Sequence, residues 1–287
     1  MAFDPFLYVA FGIGLAAGRF VRPPGRWVEA ATLTSVVVLI SLLGASLDTV
    51  PGLTLASTIP LAIGFAGLLV GLTVGAFLLL ARISPAPAPT TTPPGPRRRF
   101  PVSVAIAAAL LAGFGVGRFV TLPTGAAIPW ALYALLALVG FGLRLTPKGL
   151  SRAWVPVTAA VAGAASAAAV FALLARTSLG VSFATSFAFG WYSLAGPLVA
   201  ARDGAALGLL AFLANFVREN LTMLLSPLLG RRLRGEGLAA IGGATSMDTT
   251  LYFVTRYGDA EAGSLALASG LVLTLTASLV LPAILAL

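Results

Sequence analysis

Eight long apolar stretches constrain what this chain can fold into. They cover residues 5–21, 28–47, 57–81, 100–119, 129–146, 154–175, 204–229 and 261–286. A helix needs about 20 apolar residues to cross a bilayer. Because 59% of the residues are hydrophobic and only 9% are charged, the chain cannot cover a water-facing surface. The sequence therefore predicts an all-α polytopic membrane protein with eight transmembrane helices.

Two further apolar stretches, near residues 181–201 and 237–256, are interrupted by Gly, Pro, Ser and Thr. Irregular backbone is tolerated at membrane depth only where it lines a cavity or is buried in protein. We predict two re-entrant broken hairpins that enter from opposite faces, and we expect a functional site there.

The N-terminal half repeats itself on either side of a proline-rich tract, SPAPAPTTTPPGPRRR. GRFVRPP matches GRFVTLP, LLGASL matches LVGFGL and FLLLAR matches FALLAR, at offsets of 99, 96 and 94 residues. A unit of three helices written twice gives an inverted repeat. The predicted parts are residues 1–82 (first repeat), 83–99 (cytoplasmic linker), 100–176 (second, inverted repeat) and 177–287 (hairpin-helix-hairpin-helix substrate-binding region).

Basic residues set the predicted orientation. Ten of them follow the first, third and fifth spans: Arg19, Arg22, Arg26, Arg82, Arg97, Arg98, Arg99, Arg144, Lys148 and Arg152. The positive-inside bias then places the N-terminus outside and the linker in the cytoplasm. With both hairpins re-entrant, the C-terminus also lies outside. The net charge of +9 is explained by these loops, and no nucleic-acid partner is expected. The small-residue run at 159–170 permits close helix contact, including contact in a homodimer.

The chain contains neither Cys nor His. Disulfides, thiolate nucleophiles and the usual general base and metal ligands are thus excluded. We expect no metal, no cofactor and no enzymatic activity. A membrane-embedded transferase remains an alternative, with Ser193 or Ser246 as a nucleophile that lacks a histidine base.

The first hairpin carries FATSFAFGWYSLAGP, residues 183–197. Its glycines and proline free backbone groups, Tyr192 and Ser193 offer hydroxyls, and Trp191 offers a ring face that attracts cations. Alternatively, the two aromatic residues belong to an interfacial belt.

The seventh span carries LANFVRENLTMLLSP, residues 213–227. Its polar positions form one stripe along a helical face: Asn215, Glu219, Thr222 and Ser226. Arg218 lies about 100° around the helix from Glu219. Charges at such depth are costly and normally functional. The alternative is that Arg218 and Glu219 pair with other helices and lock the bundle.

Two further acids are candidates. Asp248 stands with Thr245 and Ser246 in GGATSMDTTL, residues 242–251; the alternative role is a helix N-cap. Asp48 follows the second span, and its counterpart in the repeat is Arg144. A solvated helix-end acid is the alternative for Asp48.

The motifs FGWYSLAG, NFVREN and GATSMDTTL, in this order after a duplicated N-terminal half, resemble the lysine exporter family LysO. The resemblance implies a multi-pass inner-membrane protein that exports L-lysine and close analogues, driven by the proton gradient. It also implies that the family's motif acids fall on Glu219, Asp248 and Asp48.

The residues are compatible with that function. Intramembrane carboxylates would hold ammonium groups, Trp191 or Tyr192 would stack on the cation, and a hairpin helix N-terminus would receive the carboxylate. Because desolvation favours the neutral form of an acid, a proton would compete with the substrate for it. H+ and Na+ both remain open as coupling ions. A cation channel would use the same acids, and a transporter of organic anions would use Arg218.

Overall fold

A computed structural model describes residues 5–21, 25–45, 52–84, 100–142 and 147–286. These residues form twelve α-helices and no strand. The helices are α1 Pro5–Phe20, α2 Gly25–Ala45, α3 Gly52–Ile83, α4 Phe100–Phe119, α5 Thr124–Gly142, α6 Pro147–Ser151, α7 Trp154–Ala175, α8 Leu179–Ser186, α9 Tyr192–Asp203, α10 Ala205–Gly242, α11 Leu251–Tyr257 and α12 Ala262–Ala286.

Four segments in the described part of the chain are long and apolar enough to cross a bilayer: Thr58–Ile83, Gly149–Ala175, Ala206–Met247 and Ala262–Leu285. The chain is thus a multi-pass membrane protein. Each of the eight predicted stretches overlaps one long helix. The two interrupted stretches contain helix breaks instead of one continuous helix.

The helices group into two compact units. The first falls within Met1–Pro51 and Pro96–Arg144 and contains α1, α2, α4 and α5. The second falls within Gly52–Gly95 and Leu145–Leu287 and contains α3 and α6 to α12. The third helix of each sequence repeat, α3 or α7, therefore belongs to the same unit as the two interrupted segments.

Glycines line the helix contacts of the first unit, where α1 packs on α5 and α2 packs on α4. Each faces a backbone carbonyl of the opposite helix: Gly14 faces Ala137, Gly18 faces Phe141, Gly113 faces Ser41 and Gly117 faces Ala45. A methyl group at any of these glycines would overlap that carbonyl. The helices approach so closely only because these positions have no side chain.

Replacing Gly113 by valine is expected to lower the stability of the purified protein by about 1–3 kcal/mol. The added side chain would force α4 away from Ser41 on α2. Gly115→Val, two residues along the same helix, is the matched control, because nothing lies within 4 Å of a Cβ there. Thermal unfolding in detergent measures the difference, and equal melting temperatures for the two variants would contradict the packing described.

The second unit is framed by α3, α7, α10 and α12. The rings of Phe65 and Phe171 stack 3.8 Å apart between α3 and α7. At one end of α12, Ala262 lies against Gly235. At its other end, the guanidinium of Arg202 donates to the carbonyls of Ile284 and Leu285. Since Arg202 lies in the last turn of α9, just before α10 begins, α12 runs antiparallel to the first part of α10.

The first hairpin is formed by α8, residues 187–191 and α9. Ser178 caps α8 by accepting a hydrogen bond from Val181 N at 3.2 Å. The turn has left-handed backbone at Phe189 (φ 51°) and Gly190 (φ 100°), which ends the helical path. α8 packs along α7, α9 packs along α10, and Gly204 joins α9 to α10.

The second hairpin begins at Arg234, whose φ of 56° reverses the chain within α10. Residues 235–242 run back along the first part of the helix, so that Thr222 Oγ1 donates to Ile241 O at 3.1 Å. A 3₁₀ turn, Gly243–Met247, and α11 follow. Gly258 then lies against Gly235. The hairpin therefore returns to the neighbourhood of Arg234, the point within α10 from which it started.

Two ion pairs close the base of the second hairpin. Arg152 pairs with Glu236 and also donates to Ser84 O at 3.3 Å. Arg234 pairs with Asp259 at 3.2 Å. Sequence position suggests solvated loop charges for both acids, yet only 5% of Glu236 is exposed. The pair with Arg152 also brings the end of α3 and the start of α7 to this base.

Candidate functional site

The tips of the two hairpins meet beside the middle of α10. Ala244 N, in the second tip, donates to Phe189 O, in the first, at 2.9 Å. Residues 218 and 219 lie beside this junction, midway between Ala205 and Leu233. At 1.5 Å per residue they are roughly 20 Å from either end of that helical segment. The junction therefore lies as far from both ends of that segment as the helix length allows.

Asn215 ties the first tip to α10. Its Oδ1 accepts from Gly190 N at 2.8 Å, and its Nδ2 donates to Thr185 O at 2.9 Å and Ala211 O at 3.0 Å. The residue is fully buried. Because its amide already has three partners within the protein, Asn215 holds the first tip against α10.

Arg218 lies against both tips and is 2% exposed. Its Nη2 donates to Ala240 O at 3.3 Å, while Nε and Nη1 have no hydrogen-bond partner among the described residues. A Cβ at Gly243 would lie 2.5 Å from Nη1, and one at Gly190 would lie 3.3 Å from it. The guanidinium therefore occupies space that two glycines leave open.

Glu219 is 1% exposed, and neither carboxylate oxygen has a hydrogen-bond partner of ordinary geometry in the part of the chain that the structure describes. Thr249, Asp248 and Tyr192 lie around it. No described residue forms an ion pair with Arg218 or Glu219. Since burying an unpaired charge is costly, such groups normally bind a ligand, an ion or a proton.

Asp248 follows the 3₁₀ turn of the second tip and is partly exposed. Its Oδ1 accepts from Thr249 N at 2.5 Å and Thr249 Oγ1 at 3.2 Å. One oxygen thus supports the turn. The N-cap of α11 is Thr250, which makes no side-chain capping bond, so Asp248 does not cap that helix. The carboxylate of Asp248 interacts electrostatically with that of Glu219.

Tyr192 closes the side of the site next to Glu219. Its ring packs edge-on against Phe212 at 5.1 Å and Phe216 at 5.7 Å. Trp191 packs instead against the apolar cluster that includes Phe189 and Ala244. The two aromatic side chains are therefore placed differently, and of the two it is Tyr192 that lies beside an acid.

The hydroxyls of the second tip are used within it. Thr245 Oγ1 donates to Gly242 O at 3.0 Å. Ser246 Oγ lies 2.7 Å from Gly243 O and 2.9 Å from Ala266 O, which fastens the tip to α12. Ser193 lies in α9, but its side chain is outside the described residues, as is all of Asp48.

A family model described as lysine exporter LysO matches residues 107–285, which is more than half of the chain. The chain belongs to the LysO family. Among curated proteins, this LysO-family chain is 33% identical over 187 residues to "Lysine exporter LysO" of Escherichia coli (strain K12), a match that covers 60% of each chain. The match thus spans 60% of that relative's length.

A second relative of the LysO-family chain is "Putative lysine exporter" of Haemophilus influenzae (strain ATCC 51907 / DSM 11121 / KW20 / Rd). It is 30% identical over 164 residues, which are 52% of this chain and 81% of the relative. No solved structure matches the chain.

Further buried polar groups of this LysO-family chain are not among the site residues expected from the sequence. Ser186 Oγ and Asn220 Oδ1 are buried and have no hydrogen-bond partner among the described residues. Thr249 contacts both acids. The sequence offered one indication of two of these residues: Asn220 ends the motif NFVREN, and Thr249 directly follows Asp248. Which of these atoms face a common space depends on how the tips pack.

Proposed function

We propose that this protein is a secondary active transporter that exports L-lysine and close cationic analogues from the cytoplasm. The observation that carries the proposal is the buried carboxylate of Glu219, which has no ion-pair partner among the described residues and lies where two hairpin tips meet in a LysO-family chain. The relatives' names support lysine as the substrate.

We infer that export is proton antiport through Glu219 and Asp248. Burial favours the neutral form of an acid, and an ammonium group stabilises its charged form. A proton and a lysine ammonium would therefore displace one another from the same carboxylates. Asp48 is the third acid proposed to take part, on the basis of the family resemblance.

We also infer that the two interrupted segments are re-entrant hairpins that enter from opposite faces of the inner membrane. The second hairpin starts and ends beside Arg152 and Ser84, next to the basic linker, which the positive-inside bias assigns to the cytoplasm. The first hairpin starts after α7 and ends before α10, at the opposite end. Both termini would then lie outside.

An inverted repeat is supported by contacts inside the first unit. Gly14 and Gly18 have counterparts 99 residues later in Gly113 and Gly117, while their partners Ala137 and Phe141 have counterparts 96 residues earlier in Ser41 and Ala45. These offsets are the ones that relate the repeated sequence motifs. The contact of α1 with α5 is thus reproduced by that of α4 with α2, as a two-fold relation requires.

A transporter of organic anions is the second candidate, because Arg218 has free donors. Counterflow in proteoliposomes separates the two. Vesicles loaded with unlabelled lysine should accumulate labelled lysine. Vesicles loaded with an unlabelled dicarboxylate should not accumulate the labelled dicarboxylate. Exchange of labelled dicarboxylate without lysine exchange would overturn the proposal, as would a lysine current without proton counter-movement, which indicates a channel.

A further inference from the structure

Arg218 is a buried cation whose charge nothing described in the protein neutralises. It is 2% exposed, and of its nitrogen atoms only Nη2 has a partner, the neutral carbonyl of Ala240. The acid beside it in sequence, Glu219, faces Thr249, Asp248 and Tyr192 instead. A guanidinium in such a place normally has an anionic ligand.

The position of Arg218 depends on both hairpins. Gly243 has a φ of 68° and Gly190 a φ of 100°, and both approach Nη1 closely enough that a larger residue would displace it. Phe189 O, which accepts from Ala244 N, lies next to Gly243. Residues of both tips therefore contact the guanidinium and fix its position.

Backbone amides, the other common receptor for an anion, are largely used at the tips. In the first tip, Gly190 N donates to Asn215, and Trp191 N and Tyr192 N donate to carbonyls of their own turn. The second tip is similar, since Ala244 N, Asp248 N, Thr249 N, Thr250 N and Leu251 N all have acceptors. Since these amides already have acceptors, the guanidinium of Arg218 is the more available receptor for an anion at the tips.

We infer that Arg218 binds the α-carboxylate of the transported substrate through its free Nε and Nη1 groups. The inference rests on the proposed function, and it makes the substrate class α-amino acids with a cationic side chain, to the exclusion of diamines. Lysine carries two ammonium groups and one carboxylate. Glu219 and Asp248 match the former, and Arg218 on the adjacent helical face matches the latter.

The test compares L-lysine with L-lysinamide, which keeps both ammonium groups and replaces the carboxylate by a neutral amide. Each is used to compete with labelled lysine in proteoliposome counterflow. Wild-type protein should require at least about tenfold more lysinamide than lysine for half-inhibition, as expected for loss of a charge-assisted hydrogen bond. A thermal shift of the purified protein with each compound provides a readout independent of transport.

Arg218→Gln should bring the two half-inhibitory concentrations within about threefold by weakening lysine alone, and Arg218→Lys should restore part of the preference. Arg232→Gln, an exposed arginine on the same helix, is the matched control and should keep the wild-type ratio. A wild-type protein that binds lysinamide as well as lysine would overturn the inference, even if Arg218 variants fail to fold. An Arg218→Gln protein that keeps the preference would also overturn it.

The two proposals fail in different ways. Wild-type protein that exchanges no lysine removes the proposed function and this inference together. Wild-type protein that exchanges lysine and lysinamide equally leaves the exporter intact and removes only the role of Arg218.

Discussion

Lysine uptake into everted membrane vesicles is expected to fall about a hundredfold when Glu219 is replaced by glutamine. The change keeps the shape of the side chain but removes the charge that would hold an ammonium group and exchange a proton. Two charge-assisted hydrogen bonds of about 1.5 kcal/mol each account for this factor. Any remaining uptake should no longer respond when a protonophore collapses the pH gradient.

Asp248→Asn is expected to reduce uptake less, by about tenfold, because one of its oxygens already supports the turn at Thr249. A rise in KM indicates cation binding, whereas a lower melting temperature with unchanged KM indicates that Asp248 only supports the turn through Thr249. Glu261→Gln, the same chemical change between α11 and α12, is the control and should retain most activity. Normal export by both Glu219→Gln and Asp248→Asn would refute the proton-exchange assignment.

The second large effect is expected at Gly243, where alanine should abolish transport and destabilise the second unit. The new methyl group would overlap Phe189 O and lie 2.5 Å from Arg218 Nη1. The φ of 68° adds about 1–2 kcal/mol for any residue with a side chain. The substitution would disrupt the contact between the tips and displace the Arg218 guanidinium.

Thermal unfolding in detergent and lysine counterflow measure these two losses separately. Gly180→Ala in α8 is the matched control, because nothing lies within 4 Å of a Cβ at that position. It should leave both properties unchanged. If Gly243→Ala transports lysine at the wild-type rate, the hairpin tips do not need the close contact seen here.

The composition of the site explains why its charges are tolerated. Asn215 and Thr222 satisfy the backbone groups that the helix breaks release, at Gly190 and Ile241. The apolar partners of Phe189 and Ala244 exclude water around them. Among the described residues, the buried polar atoms without a hydrogen bond of ordinary geometry belong mainly to Arg218 and Glu219. The proposed substrate would bring charges complementary to both.

Much of the fold could be predicted from sequence because it follows from local rules. Hydropathy locates each long helix, since a span must be apolar over its whole length. Glycine and proline locate the breaks, and burial of charge in NFVREN marks Arg218 and Glu219 as costly. The individual roles could not be predicted: Asn215 and Ser246 are candidates from sequence, yet their polar groups are bound to the protein itself.

By itself, the sequence determined that the chain is a helical membrane protein, where its helices break and which charges lie deep. These properties depend on residues near one another in the chain. Only the tertiary structure decided that α3 and α7 join the hairpins, that Phe189 meets Ala244, and that Arg218 lies between two glycines. Such contacts join residues far apart in sequence, and helical periodicity specifies a buried face without specifying which helix covers it.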